Sequence, residues 1–211
     1  MVQVCKRCIY NETTPGISFD SDGVCNYCAM HDELNKEFPI GEEGNSRLKS
    51  LAARMKADGK GKEFDCVVGV SGGCDSSYLC HITKNLGLRP LAVHFDNTWN
   101  SKTAVENIHT VLKKLDIELY TFVMDNEEFN DLARAFLYAS VQEVDALTDI
   151  ALTTTLYKAA DEYNIKYIFN GHSFRTEGIT PLGWFYFDGK YIESVHNKFG
   201  KKRMERYPNL W

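Results

Sequence analysis

The chain has 211 residues, 44% of them hydrophobic, and a net charge of −5, enough for one domain with a sizeable core plus a small appendage. No apolar run approaches the ~20 residues a helix needs to cross a bilayer, and the opening MVQVCKRCIY lacks the apolar core and cleavage site of a secretory signal, so a cytoplasmic location is expected. Residues 1–46 carry 3 Lys/Arg against 8 Asp/Glu and the remainder 21 of each; nucleic-acid binders usually show a basic surplus, so this balance argues against nucleic acid as a partner.

Seven cysteines is an odd count in a chain with no export signal, which favours metal binding or free thiols over a disulfide framework. Four of them form two pairs, Cys5-Lys-Arg-Cys8 and Cys25-Asn-Tyr-Cys28, with sixteen residues between. Each pair sets two thiolates on one tight knuckle, and two knuckles supply the four sulfur ligands of a structural zinc site. A four-sulfur shell leaves no open position for catalysis. Between the pairs, Thr14-Pro15-Gly16 and Asp20-Ser21-Asp22-Gly23 are turn-forming, and Ile17 and Phe19 alternate as in a short strand. Residues 31–45 read as a polar linker. Ser46 is the expected cap of a helix carrying Leu48, Leu51, Ala52 and Met55, which Ala57–Lys62 then breaks.

The rest of the chain is organised around the stretch Asp65–Ser77, DCVVGVSGGCDSS. Val67, Val68 and Val70 have no polar alternation, as in a strand buried on both faces. Gly72 and Gly73 allow a sharp turn and a close approach of backbone to ligand. A helix beginning near Asp75 aims its unpaired N–H groups at that turn, which makes an anion cradle. No Gly-Lys-Ser/Thr comes after it, so this is not a Walker loop.

Further on, Tyr78, Leu79, Ile82 and Leu86 repeat at helical spacing until Gly87. Leu91–Phe95 read as a second strand ending at Asp96-Asn97, and Ser101 caps a helix with a Val105, Ile108, Leu112, Leu115 stripe. Leu119–Met124 form a third strand ending at Asp125; helices are expected over about 130–138 and 149–163; Tyr167–Phe169 form a fourth strand ending at Asn170-Gly171-His172. Past Pro181, aromatic runs flank Asp188-Gly189 as in a hairpin, with five basic residues between Lys198 and Arg206.

Strands alternating with helices predict a doubly wound parallel α/β sheet. Ligands of such sheets bind beyond the carboxyl ends of the strands, and the polar clusters at 71–75, 96–97, 125 and 171–173 fall there. The expected division is a zinc knuckle and linker over 1–45, a nucleotide-binding α/β domain over 46–180, and a hairpin with a basic tail over 181–211 that begins a substrate or partner region.

Ser71-Gly-Gly-Cys-Asp-Ser76 resembles the SGGxDS loop of the ATP pyrophosphatase (PP-loop) superfamily. The Cys5–Cys28 segment, Val68–Gly73, Val93-His-Phe-Asp-Asn-x-Trp-Asn100 and Asn170-Gly-His172 with Arg175-Thr-Glu-Gly178 are similar to the N-acetyl sugar amidotransferases of bacterial surface-polysaccharide and lipopolysaccharide synthesis. The resemblance implies an enzyme that uses ATP and Mg²⁺ to adenylate the acetamido oxygen of a nucleotide-linked N-acetyl sugar. Ammonia from a partner glutaminase, delivered through a synthase-like subunit, then displaces AMP to leave an acetamidino sugar. It implies that Ser71, Gly72, Gly73 and Ser76 cradle pyrophosphate, that Asp75 caps its helix or holds Mg²⁺, and that Asp96 and Asn97 lie where relatives hold adenosine. Gly171 adjoins the nucleotide, and His172, Arg175 and Glu177 are the candidates for the reacting centre, with Arg175 facing the α-phosphate. Cys66, Cys74 and Cys80 have core or small-residue explanations. Members of this family continue past Trp211 with a further helical region, so the chain is expected to carry only part of the substrate site. Two other readings compete: a tRNA thiolase with the same loop, and a non-catalytic adaptor that binds zinc and nucleotide.

Overall fold

A computed structural model describes residues 2–184 and 186–209. The chain divides into two compact units, Met1–Lys49 with His172–Tyr186, and Ser50–Gly171 with Phe187–Trp211. Among the described residues, no helix is long and apolar enough to cross a membrane.

The first unit is built around sulfur and a few aromatic rings. Short antiparallel bridges join Val4 to Asn11 and Phe19 to Cys25, and α1 (Asn26–Glu37) carries Cys28 inward. Cys5, Cys25 and Cys28 are buried, with Tyr10, Ile17, Phe19, Val24 and Tyr27 packed against them. Tyr10 meets Tyr27 and Trp184 edge to face, each at 5.5 Å, and its hydroxyl donates to the Ile179 carbonyl at 2.7 Å. The expected linker over 31–45 is corrected: α1 runs to Glu37 and α2 starts at Gly41, so only 38–40 are left outside helices. α2 (Gly41–Asp58) begins five residues before Ser46, which is therefore an interior position and not a cap.

The second unit is a parallel sheet of four strands, β1 (Cys66–Gly69), β2 (Pro90–Asp96), β3 (Glu118–Val123) and β4 (Ile168–Phe169), in the order β3-β2-β1-β4. β1 pairs in parallel with β2, Val68 opposite Ala92, and with β4, Val68 opposite Phe169. β1 is buried at every position, as its unbroken apolar run predicts for a strand covered on both faces. The covering elements differ by face. Cys66, Val68 and Ala92 pack against α2, α3 (Cys74–Asn85) and α4 (Lys102–Leu115) through Met55, Cys80, Ile108 and Leu112. Val67, Leu91 and Val93 pack on the opposite side against Leu156, Ala159 and Ala160 of α6 (Ala146–Glu162). Helices on both faces of a parallel sheet make this a doubly wound α/β fold.

Helix boundaries obey local chemistry. Ser101 caps α4 by accepting from the Ala104 N–H at 3.1 Å, as its sequence position predicts. Asp125 does the same for α5 (Asn126–Ala139), accepting from Glu128 at 3.0 Å. α7 is a single turn, Phe174–Glu177. The expected hairpin around Asp188-Gly189 is corrected. Asp188 accepts from the Tyr191 N–H at 2.8 Å and starts α8 (Gly189–Phe199). An Asp-Gly pair serves a type I′ turn or a helix N-cap equally well. The choice here is made by burial, because Ile192 and Val195, three apart, enter a core with Phe129, Leu132 and Phe136 of α5. Phe185, within the expected aromatic strand, and Trp211, at the expected truncation, lie outside the described residues.

Candidate active site

All four strands end on one edge of the sheet, and β1 lies between β2 and β4, where the chain passes from one face to the other. Open α/β sheets bind ligands at such a crossover, beyond the carboxyl ends of the strands. The Ser71–Ser76 loop leaves β1 there.

Gly72 has φ +79°, and a Cβ on it would lie 2.3 Å from the Ala104 carbonyl oxygen. Its missing side chain therefore makes room for the backbone of α4, and Asn107 of that helix donates to the Gly72 carbonyl at 3.1 Å. Gly73 is different. A Cβ there would meet Ser71 Oγ at an ordinary 3.4 Å, so its small size is not required by the loop itself. Gly73 is also the N-cap of α3 and makes no side-chain cap bond, which leaves the helix N-terminus facing outward with its partial positive charge.

The two serines of the loop are tied together. Ser76 is buried; its Oγ accepts from the Ser71 N–H and lies 3.3 Å from Ser71 Oγ. Ser77 donates to the Gly73 carbonyl at 2.7 Å. Asp75 is exposed in the first turn of α3. The N-cap is Gly73, so Asp75 is not the cap of its helix. Gly171, just past β4, sits against that turn, since a Cβ on it would be 3.4 Å from Asp75 Cβ and 3.5 Å from the Ser76 nitrogen.

At the end of β2, Asp96 and Asn97 shape the next loop. Asp96 accepts from the Thr98 N–H and from Asn100 Nδ2, both at 2.8 Å, and Asn97 accepts from the Trp99 N–H at 3.0 Å. These are Asx turns. They let Thr98 hold φ +67° and turn Trp99 onto Phe129, edge to face at 5.1 Å, with its Nε1 donating to Asn130. His94 stands inside the Val93–Asn100 motif, but the sequence alone assigns it no role. It is buried within β2, with Nδ1 2.9 Å from the Val70 carbonyl and Nε2 3.4 Å from Asn100. In the sequence it is a single imidazole in an otherwise apolar strand, within that motif.

His172, Arg175 and Glu177 belong to the first unit. His172 Nδ1 lies 3.1 Å from a Glu177 carboxylate oxygen. Arg175 donates to the Phe38 carbonyl, and its guanidinium sits 4.6 Å over the Phe174 ring. One of its five donors is therefore committed inside this unit.

The sulfur atoms of Cys5, Cys8, Cys25 and Cys28 lie within 4.8 Å of one another, Cys5 to Cys28 at 3.9 Å and Cys8 to Cys25 at 3.6 Å. A tetrahedral ion with Zn–S bonds of about 2.3 Å needs S–S edges of about 3.8 Å, so the four residues fit a closed structural zinc site. Burial opposes the Cys5 charge, but the N–H groups of Arg7, Cys8 and Cys25 outweigh it and bring that thiol down to about 6, whereas burial pushes the Cys8 and Cys28 thiols up. Burial raises Cys66 to about 12 and Cys80 to about 11, as expected of inert core residues. Cys74 is exposed on the loop.

No protein-family model matches the chain. An uncharacterized protein of Methanocaldococcus jannaschii is 25% identical over 170 residues, which make up 80% of this chain and 58% of that relative. Among solved structures, an NMN synthetase from Francisella tularensis is similar at 17% identity, covering 73% of this chain and 70% of that one, with a TM-score of 0.45. A glutamine-dependent NAD+ synthetase from Acinetobacter baumannii, in complex with ADP, covers 78% and 32% at 12% identity and a TM-score of 0.47. An NH3-dependent NAD synthetase from Campylobacter jejuni covers 72% of each chain at 12% identity and a TM-score of 0.38. The fold assignment itself rests on the sheet order and on the helices packed against both faces.

Proposed function

We propose that this chain is an ATP-dependent enzyme of the PP-loop type, and that it adenylates the acetamido oxygen of a nucleotide-linked N-acetyl sugar for surface-polysaccharide synthesis. The observation that carries the ATP site is the Ser71–Ser76 loop at the end of β1, opening onto the uncapped N-terminus of α3. The triphosphate's β- and γ-phosphates lie against the N–H groups of 72–76, where the helix end favours negative charge. The exposed Asp75 carboxylate would hold Mg²⁺, which would offset the phosphates' charge. The adenosine lies toward Asp96 and Asn97, and Gly171 leaves the floor of the crevice free of a side chain.

The amide oxygen attacks the α-phosphorus, and the bond to the bridging oxygen breaks to release pyrophosphate. Ammonia then adds to the activated carbon, and AMP departs with the former amide oxygen. No side-chain nucleophile is needed; the work is charge stabilisation and positioning. Arg175 is the first unit's candidate for neutralising phosphate charge, and the His172–Glu177 pair its candidate for taking the proton that ammonia must lose. A glutaminase with a channelling subunit supplies the ammonia. Zinc at the four cysteines holds the fold of the first unit.

The test is an incubation of the chain with ATP, Mg²⁺, ammonium and a panel of sugar nucleotides. AMP and pyrophosphate should form only with an acetamido sugar, and the product's mass should change by the exchange of O for NH. Formation of ADP and phosphate would exclude adenylation. Asp75→Ala should weaken Mg·ATP binding at least about 10-fold; unchanged binding would remove the phosphate site.

A further inference from the structure

The imidazole of His94 is closed off in the sheet, and each of its nitrogens faces a group whose hydrogen-bonding role is fixed. Nδ1 is 2.9 Å from the Val70 carbonyl, which can only accept, so Nδ1 carries the hydrogen. On the other side, Asn100 Nδ2 is 2.8 Å from Asp96 Oδ1, an acceptor, which orients the amide. The second hydrogen of that same nitrogen points to Nε2 at 3.4 Å, so Nε2 must accept. A single state, the neutral ring with hydrogen on Nδ1, satisfies every donor and acceptor in the series.

The two ends of this series lie at the ends of two neighbouring strands, β1 and β2. Val70 is the residue from which the phosphate loop departs, and its own N–H pairs with Val93 at 2.9 Å. Asp96 and Asn100 are the frame of the loop beyond β2, since Asp96 also holds the Thr98 N–H. We infer that His94 is a positioning residue of the nucleotide site: it transmits the placement of the phosphate loop, through Asn100 and Asp96, to the 96–100 loop that receives the adenosine. The sheet already pairs the main chains of Val70 and Asp96 with neighbouring strands; the relay adds a side-chain link from them to Asn100, which lies beyond the end of β2. This role rests on the proposed ATP site.

The relay and the nucleotide site can be tested separately on the full chain. In a long-range ¹H–¹⁵N spectrum, with His94 assigned by its loss in His94→Asn, the ring should show the neutral Nδ1–H tautomer. An Nε2–H tautomer or a charged ring would overturn the relay, whatever the chain binds. Mg·ATP and pyrophosphate affinities are then measured calorimetrically for the wild type and for Asn100→Ala, which cuts the relay without touching the phosphate loop. The expected result is ATP binding about 10-fold weaker, the scale of one lost hydrogen bond plus its misaligned loop, with pyrophosphate affinity within about 2-fold. Equal ATP affinity in both proteins would overturn the positioning role, and so would a parallel loss of ATP and pyrophosphate, which marks general loosening. A wild-type chain that binds neither ligand removes the nucleotide reading and the positioning role with it, while the tautomer result still reports on the hydrogen-bond series.

Discussion

Gly72 carries two constraints at once, and they have different origins. Its left-handed φ is a backbone requirement, and the 2.3 Å gap to Ala104 is a packing requirement. Alanine would meet both, strained at positive φ and blocked by a main-chain atom that cannot rotate away. Gly72→Ala should therefore lower unfolding stability by about 2 kcal/mol or more, read from chemical denaturation. Gly73→Ala, whose new Cβ meets only an ordinary contact at 3.4 Å within the loop, should leave stability within about 0.5 kcal/mol while weakening phosphate binding. A matching loss of stability in both variants would contradict this separation of roles. Asp75, exposed and in the first turn, is the residue whose removal should change binding while sparing the fold.

At the scale of elements, α5 does more than cover the sheet. It carries two buried carboxylates, Glu128 and Asp131, one turn apart. Glu128 accepts from the N–H groups of Glu205, Arg206 and Tyr207, each at about 3 Å. Asp131 accepts from those of Lys201 and Lys202 at 2.8 Å and lies 3.3 Å from His196 of α8. Tyr207 is buried and donates to the Leu147 carbonyl at 2.6 Å. The basic segment thus has its backbone fixed by helix carboxylates, although it forms no helix or strand of its own. Glu128→Ala leaves three N–H groups without their acceptor and should cost about 3 kcal/mol, with faster amide exchange confined at first to 201–207. Burial works against the Asp131 charge, but the Lys202 and Lys201 N–H groups and His196 outweigh it and hold the carboxyl below its usual value. For a lowered carboxyl the stabilisation is complete above the ordinary Asp value of about 4 and disappears as pH falls through the lowered one. Stability should therefore drop on the acid side of pH 4, and Asp131→Asn should flatten that limb of the profile.

For the whole molecule, the two units are held by different physics. The sheet unit has three apolar clusters, with Val67, Val68, Phe129 and Phe136 essentially inaccessible. The first unit has a few rings gathered around four sulfurs. A core of that size does not support a fold alone. The purified chain should therefore contain about one zinc ion by elemental analysis. Chelation, or Cys8→Ser at the most accessible of the four ligands, should unfold the first unit while the sheet unit keeps its cooperative transition. Retention of a protected first unit after complete metal removal would show that the thiols serve another purpose.

Much of this was legible in the sequence, and for identifiable reasons. Strands buried on both faces, such as Val67-Val68 and Leu91–Phe95, cannot alternate, and helices packed on one side must repeat. Caps such as Ser101 act within three residues. The paired cysteines act within one knuckle each. Features that depend on residues far apart were not legible. Nothing local distinguishes a turn from a helix start at Asp188-Gly189; contact of Ile192 and Val195 with α5 decides it. Gly72 reads as a ligand contact until α4 is seen against it. His94 reads as one polar residue in a strand until Val70 and Asn100 appear on its two nitrogens. The sequence by itself determined the four strands, the glycine turn after β1 and the two cysteine pairs, because each is set by neighbours along the chain. Only the tertiary structure decided which glycine serves packing, which carboxylates hold the backbone of the basic segment, and which imidazole joins the two loops, because those depend on groups that meet only when the sheet assembles.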